Sequence, residues 1–380
     1  MNRPNVFTDF HHAGLLRSLI LLFERRFSGQ VYRPIGREWW ERGYWKVYDH
    51  PATVEQFLGI GGATPDGTEP VNKVVNMDKE MVVNGANWKE WTVYHCFDID
   101  SHESNKAITL EGFFNTRFDF VVASIPAHIE PFRKLCNEHP SRPKLIYQIG
   151  NAWNVSNDQA QLIDAVLASA RITESMPTGV PIISYHQEFD LDIFYPSIPR
   201  SGQLTANWKY GEMPSQNVFS FINCFNIDRL FEHDWQLFEK VERLMPDWNF
   251  KAYGGQCRDG AAHGARELST AMRSARFIWH TKNGGDGYGH IIHNSAAVAR
   301  PTLVKREYYA GKLAESLLVD GVTCVAIDGL GPDEIKNKIE YFSDPDRYAV
   351  MCEAVYQNFK RVVDFNGEAN SISAFLESLV

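Results

Sequence analysis

The stretch W-H-T-K-N-G-G-D-G-Y-G-H-I-I-H-N-S-A-A-V-A-R-P-T-L-V, Trp279 to Val304, is the most informative in the chain. The apolar run Ala275 to Trp279 reads as a strand that stops at a loop holding Gly284, Gly285, Gly287 and Gly289. A helix of small residues follows, and Arg300-Pro301 leads into a second strand, Thr302 to Val304. Glycine has no Cβ, so backbone there can approach a ligand closely. The free N–H groups that open a helix attract an anion. A glycine loop at the carboxyl end of a strand in an α/β sheet therefore points to a phosphate-bearing ligand. Glycines also serve plain tight turns. What separates this loop from those is the order strand, loop, small-residue helix, Arg-Pro, strand.

This block resembles the donor-binding segment of GT-B glycosyltransferases, above all the family-4-like group (glycosyl transferases group 1), of phage or bacterial type. The family pattern reads E-G-F-G, four apolar positions, E-A, small residues, G-R-P and a strand, and it lies on this sequence without a gap. Asp286-Gly287-Tyr288-Gly289 takes the place of E-G-F-G, Asn294-Ser295 that of E-A, and Ala299-Arg300-Pro301 that of G-R-P. Asp286 is one methylene shorter than the usual Glu. Asn294 stands where the family usually holds the ribose hydroxyls with a carboxylate; an amide still bonds a diol but carries no charge.

The resemblance implies an α/β chain of the GT-B fold, two Rossmann-like domains facing an interdomain cleft. It implies transfer of a sugar from a nucleotide-diphosphate sugar, UDP being the expected nucleotide, to a hydroxyl acceptor, with no metal and no further cofactor. The acceptor is open among a saccharide, a small molecule and a modified nucleic-acid base, since some phage-encoded base glucosyltransferases share this fold. A non-catalytic GT-B nucleotide- or carbohydrate-binding protein is the alternative, to which Asn294 gives weight.

Composition sets the outer bounds. The 380 residues suffice for two domains with sizeable cores. Hydrophobic residues make up 44% and charged residues 22%, as in ordinary soluble globular chains. No apolar run nears the roughly 20 residues a membrane span needs. The opening M-N-R-P-N-V-F-T-D-F has no apolar signal region, so the expected location is the cytoplasm. Six cysteines lie far apart with no C-x-x-C pair, which fits reduced buried thiols. A net charge of −9 argues against a surface that coats nucleic acid generally, while leaving room for a local basic groove. The high aromatic share, 13%, is assigned mostly to the core.

Working outward, strands alternate with helices, which implies a mainly parallel sheet in each half. Strands are expected at Pro4 to Thr8, from Gln30, and at Phe118 to Ser124, Lys144 to Gln148 and Val180 to Ser184. Helices are expected at Leu15 to Phe27 and Pro126 to Glu138. Gly59 to Trp91 reads as an irregular insertion or hairpin, and Pro196 to Pro214 as a linker. The second half restarts with strands at Val218 to Cys224 and Phe250 to Tyr253, and ends with a strand at Gly321 to Ile327 and a long helix at Asp346 to Phe365. The domains are thus expected at 1–205, the acceptor side, and 206–365, the nucleotide-sugar side, with 366–380 a terminal helix crossing back.

Glycosyl transfer requires stabilisation of a leaving diphosphate, placement of the acceptor and a path for its proton. For the donor the candidates are Lys282, just past a strand end, with Gly285, Gly287, Tyr288, Gly289, His290 and Asn294 along the loop and helix, and Arg258 as a second cation. The resemblance places Asp286 on the donor sugar's hydroxyls; a helix N-cap is its other reading. His293 reads as a packed core histidine. For the acceptor the candidates are His11 and His12, in the loop after the first strand with Asp9 to orient one of them, and His186 at a later strand end. Asp98, Asp100, His102 and Glu103 look like a D-x-D metal site but read here as a solvated or acceptor-side loop.

Overall fold

The computed structural model describes residues 3–9, 13–34, 38–44, 106–150, 155–170, 179–197, 213–254, 257–262, 264–283 and 286–380. The expected insertion at Gly59 to Trp91, the Asp98–Glu103 cluster and most of the Pro196–Pro214 segment lie outside these residues. The chain forms two compact units, divided between Phe189 and Asp190 and again between Asp364 and Phe365. Residues 190–197 already hydrogen-bond within the second unit, where Ser269 Oγ donates to the Ile193 carbonyl at 2.7 Å.

In the first unit the elements run β1 (Asn5–Thr8), α1 (Ala13–Ile20), β2 (Gln30–Pro34), α2 (Glu38–Glu41), β3 (Lys106–Ile108), α3 (Leu110–Asn115), β4 (Phe120–Ala123), α4 (Ile129–Glu138), β5 (Lys144–Ile149), α5 (Asn157–Ala160), β6 (Ala165–Ala168) and β7 (Ile182–Ser184). All strand pairs are parallel, in the order β3-β2-β1-β4-β5-β6-β7. Helices cover both faces of such a sheet, so its central strands read as unbroken apolar runs, and β4 and β6 are buried along their whole length. Phe7 of β1 is the hub of the core, stacked on Trp39 at 4.7 Å and edge-on to Phe113 at 5.0 Å. Much of the aromatic content is packing of this kind.

The helix expected over Leu15 to Phe27 keeps α-geometry only to Ile20 and widens into a π-helix, Leu21–Arg26. Leu21, Leu22 and Phe23 are all buried, and the wider turn accompanies that unbroken apolar run. The strands β3 and β6 had no counterpart in the sequence reading; with three and four residues each they are too short to show a period.

The second unit contains β8 (Asn217–Ser220), α6 (Glu232–Leu244), β9 (Asn249–Ala252), α7 (Gly264–Ser274), β10 (Phe277–His280), α8 (His290–Ala297), β11 (Thr302–Val304), β12 (Cys324–Ala326), α9 (Pro332–Phe342) and α10 (Pro345–Val362). Its sheet is parallel throughout, in the order β12-β11-β10-β8-β9. The long helix expected to reach Phe365 stops at Val362, because Val363 turns to extended backbone (φ −110, ψ 110). A separate helix, α11 (Phe365–Glu377), then joins the first unit and sets Ala369, Ile372 and Leu376 into its core. Among the described residues no helix is long and apolar enough to cross a membrane. The described cysteines are all free thiols.

Candidate functional site

Numbered within its own unit, the second sheet has the order 5-4-3-1-2, so β8 and β10 are neighbours whose connections leave in opposite directions. Ligands of open α/β sheets bind at such a switch point, outside the carboxyl ends of the strands. The residues ending these two strands are Ser220 and His280. Both are buried, and Ser220 Oγ and His280 Nδ1 have no hydrogen-bond partner among the described residues. Unpartnered polar atoms are costly in a protein interior, and a ligand at the strand ends would satisfy them.

The loop from β10 to α8 builds the rest of the site. Asp286 folds back so that its Oδ2 accepts from His280 Nε2 at 3.0 Å, while Lys282 Nζ pairs with Oδ1. Burial pushes the Asp286 carboxyl up, but the His280 hydrogen bond and charge, joined by Lys282, overcome this and hold it well below the usual range. A fixed carboxylate therefore sits beside an ammonium group at the strand end. Lys312, which the sequence reading did not single out, belongs to the same electrostatic group. Burial and then the Lys282 charge hold its ammonium below the ordinary value, against the pull of Asp286. Its Nζ lies 5.7 Å from the centre of the Tyr309 ring. Burial, then the Asp286 charge, pushes the Tyr309 phenol well up, against a smaller opposing pull from the Asp286 backbone.

Helix α8 opens at Gly289, whose backbone is left-handed (φ 82, ψ 53). A Cβ there would lie 3.0 Å from Ala314 Cβ and 3.4 Å from Tyr309 Cε1, so conformation and space both require glycine. Among the described residues no side chain caps this helix, and its first turn holds no acidic residue. The positive end of its dipole therefore favours an anion there.

The other candidates divide. Asn294 is buried in α8 with its Oδ1 unpartnered. His290, partly buried, opens the helix and lies edge-on to Tyr288 at 4.9 Å. Tyr288 is buried and stacked on His293 at 4.1 Å, so its ring is a packing element and only its backbone faces the ligand question. His293 is the core histidine expected, with Nδ1 2.9 Å from the Gly289 carbonyl. Arg258 is not brought to Asp286. Its guanidinium donates to both oxygens of Glu242 at 2.8 and 3.1 Å, to Asp259 at 3.1 Å and to the Phe250 carbonyl at 3.0 Å, on the edge strand β9. Gly285 lies outside the described residues.

At the switch point of the first sheet, between β1 and β4, Asp9 directly follows β1. Asp9 was expected to orient His11 or His12, which lie outside the described residues. Among the described residues its carboxylate accepts from the Ser124 N–H at 2.7 Å and from its hydroxyl, and pairs with His128 Nδ1 at 2.9 Å. Burial pushes the Asp9 carboxyl up, and His128 and then Ser124 bring it below its ordinary value. His128 was missed; the available signal was S-I-P-A-H directly after a buried strand. His186 stands at the end of β7 as expected, but Glu368 of α11 holds it twice, accepting from its N–H at 2.7 Å and pairing with Nδ1 at 2.5 Å.

No family model and no curated protein matches the sequence. Solved structures match over the whole length. HepE of Anabaena, in complex with UDP, superposes with a TM-score of 0.57 at 11% identity, covering 100% of both chains. An α-glucosyltransferase in complex with UDP gives 0.59 at 8% identity, covering 99% of this chain and 100% of that one. A glycosyltransferase from Rickettsia africae gives 0.52 at 10% identity, covering 100% and 99%. At such identities the likeness is one of fold. The fold is GT-B, with two Rossmann-like domains.

Proposed function

We propose that this chain is a glycosyltransferase that moves a sugar from a nucleotide-diphosphate sugar, a UDP-sugar, to a hydroxyl acceptor. The observation that carries the reading is the uncapped, glycine-opened start of α8 beside the Lys282–Asp286 pair at the carboxyl end of β10. The diphosphate is assigned to the N–H groups of Gly287 to His290, with Lys282 stabilising the charge that grows on it as the glycosidic bond breaks. Asp286, kept ionised by His280 and Lys282, is assigned to the sugar hydroxyls, and Asn294 to the ribose. Uridine is supported by the complexes of the structural neighbours, HepE with UDP-glucose and the α-glucosyltransferase with UDP-glucose and DNA containing an abasic site. Protein cations serve the leaving group, so transfer is proposed to need no metal. Acceptor handling is assigned to the first unit, to His11, His12 and His186.

The reading is tested by consumption of UDP-glucose and related donors without acceptor, since many active transferases leak their donor to water. Gly287→Val should abolish donor binding and consumption while the far-UV circular dichroism stays unchanged. Normal turnover by that variant refutes the phosphate assignment. Binding without any turnover selects the second reading, a non-catalytic nucleotide-binding protein, which the uncharged Asn294 favours.

A further inference from the structure

We propose a second anion site in the first unit, independent of the donor reading, that takes a phosphate-bearing ligand at the amino end of the sheet. A cleft of about 780 Å³ opens there, with Arg3, Arg25, Arg26, Asn366, Asn370 and Ser373 on its walls. A smaller lobe of about 350 Å³ continues from it past Arg3 and Ser28 to the start of β2. In a chain of net charge −9, neither lobe is lined by an acidic residue among the described residues.

The sequence builds this cleft from three places. The π-helix ends in Arg25-Arg26 and delivers both to one rim. Gly29 then passes so close to Pro4 that a Cβ would lie 2.2 Å from the Pro4 carbonyl oxygen. Gln30 N–H donates to that oxygen at 3.0 Å and Gly29 N–H to the Phe23 carbonyl at 2.8 Å, which pins the turn bearing Arg3. The third wall is α11. Phe365, Ala369, Ile372 and Leu376 fill its buried face, and the adjacent stripe Asn366, Asn370 and Ser373, spaced four and three apart, lines the cleft.

Two features separate this from a solvated basic edge. Arg3 and Ser28, which both line the two lobes, have left-handed backbones at φ 51 and φ 54, a conformation unfavourable for residues with a Cβ. Strain of this kind persists where the surroundings enforce it, and it gathers at ligand sites. The charges also divide in labour. Arg26 is held by Glu188, with Nε donating at 3.0 Å, and by Asn366, so it fixes the wall. Arg3 is exposed and makes no hydrogen bond or ion pair among the described residues. Guanidinium forks with amide and hydroxyl donors beside them match phosphate oxygens. Two lobes meeting at Arg3 suit a ligand carrying more than one phosphate, either a free diphosphate or a phosphodiester backbone.

Titration calorimetry of the full-length protein with pyrophosphate, and separately with a short thymidylate oligonucleotide, tests the site. Wild type is compared with Lys282→Ala and with Arg3→Glu/Asn370→Glu, two exposed positions, and the unfolding temperature is followed in parallel. The cleft should retain its affinity in Lys282→Ala and lose roughly tenfold or more in the double variant. If the double variant loses stability, Asn370→Glu alone carries the comparison. Loss confined to pyrophosphate assigns a free diphosphate, and loss of the oligonucleotide assigns a phosphodiester backbone. A folded double variant that titrates like wild type with both probes overturns the site, as does a wild type that binds neither. A wild-type response in Lys282→Ala alone counts against the donor reading and leaves this cleft standing.

Discussion

Replacing Gly289 by alanine puts the donor-loop geometry to its sharpest test. The left-handed backbone (φ 82) would cost an L-residue about 1–2 kcal/mol. The new methyl would also meet Ala314 Cβ at 3.0 Å, a buried atom fixed to its own backbone that cannot rotate away. Overpacking of this kind costs about 1–3 kcal/mol. The smaller entropy of an unfolded alanine offsets about 0.4–1 kcal/mol. The balance is a loss of about 2–3 kcal/mol, which for a unit of this size lowers the melting temperature by roughly 5–10 °C. Gly329→Ala is the control, because its backbone is also left-handed (φ 66) but nothing lies within 4 Å of the added Cβ. That variant should lose only the conformational part, about 1 kcal/mol. Urea and thermal unfolding of both variants, with UDP-sugar binding measured on each, separates strain from crowding. A Gly289→Ala protein that melts with wild type and binds donor normally would refute both the tight packing of α8 on Tyr309 and Ala314 and the role given to its first turn.

Lys282→Ala should lower donor turnover by about 10²–10³-fold with little change in unfolding temperature, and an unchanged rate would remove it from the leaving group. Asp286, whose folded carboxyl lies below its ordinary value of 3.8, contributes stability that is present above that value and fades as pH falls through it toward the lower folded value. The stability gap between wild type and Asp286→Asn should therefore shrink from pH 7 to pH 3, and a gap that widens on acidification would contradict the pairing with His280 and Lys282. Arg300 is buried, with Nη2 donating to the Arg273 carbonyl at 2.7 Å and to Ser197 Oγ at 2.7 Å. Arg300→Lys cannot reproduce that fork and should cost about 3–5 kcal/mol in urea unfolding, at about 1.5–3 kcal/mol per charged hydrogen bond lost.

The sequence made the parallel architecture and the glycine-opened helix legible because both rest on local signals, a buried apolar strand and residues that tolerate an unusual backbone. The Lys282–Asp286 pair was within reach for the same reason, since its members stand only four positions apart in one loop. The Asp9–Ser124–His128 group was not, because β1 and β4 become neighbours only through a topology that places β1 between β2 and β4. Arg258 misled for a related reason. A cation after a Gly-Gly turn looks available until the acid that claims it, Glu242, arrives from α6. Lys312 joins the Asp286 group from a turn after β11, with no spacing to announce it.

Ala299 shows how a departure from a sequence pattern can keep the pattern's physics. It stands where the family pattern has glycine before Arg-Pro, and its backbone is left-handed (φ 59), the conformation glycine would serve. Alanine adopts it because both neighbours are fixed. Its own N–H donates to the Ala296 carbonyl at 3.1 Å, and the next residue is anchored by Arg300 N–H to Ser295 O at 2.8 Å and by the guanidinium on Arg273 and Ser197. The chain must turn here to enter β11 alongside β10, in the register Ile278 to Thr302, and that register sets where β10 ends. His280, Lys282 and Asp286 are placed by that end. The buried arginine thus acts on the candidate site through the sheet, as a positioning residue, which is why its loss should appear in unfolding before it appears in donor binding.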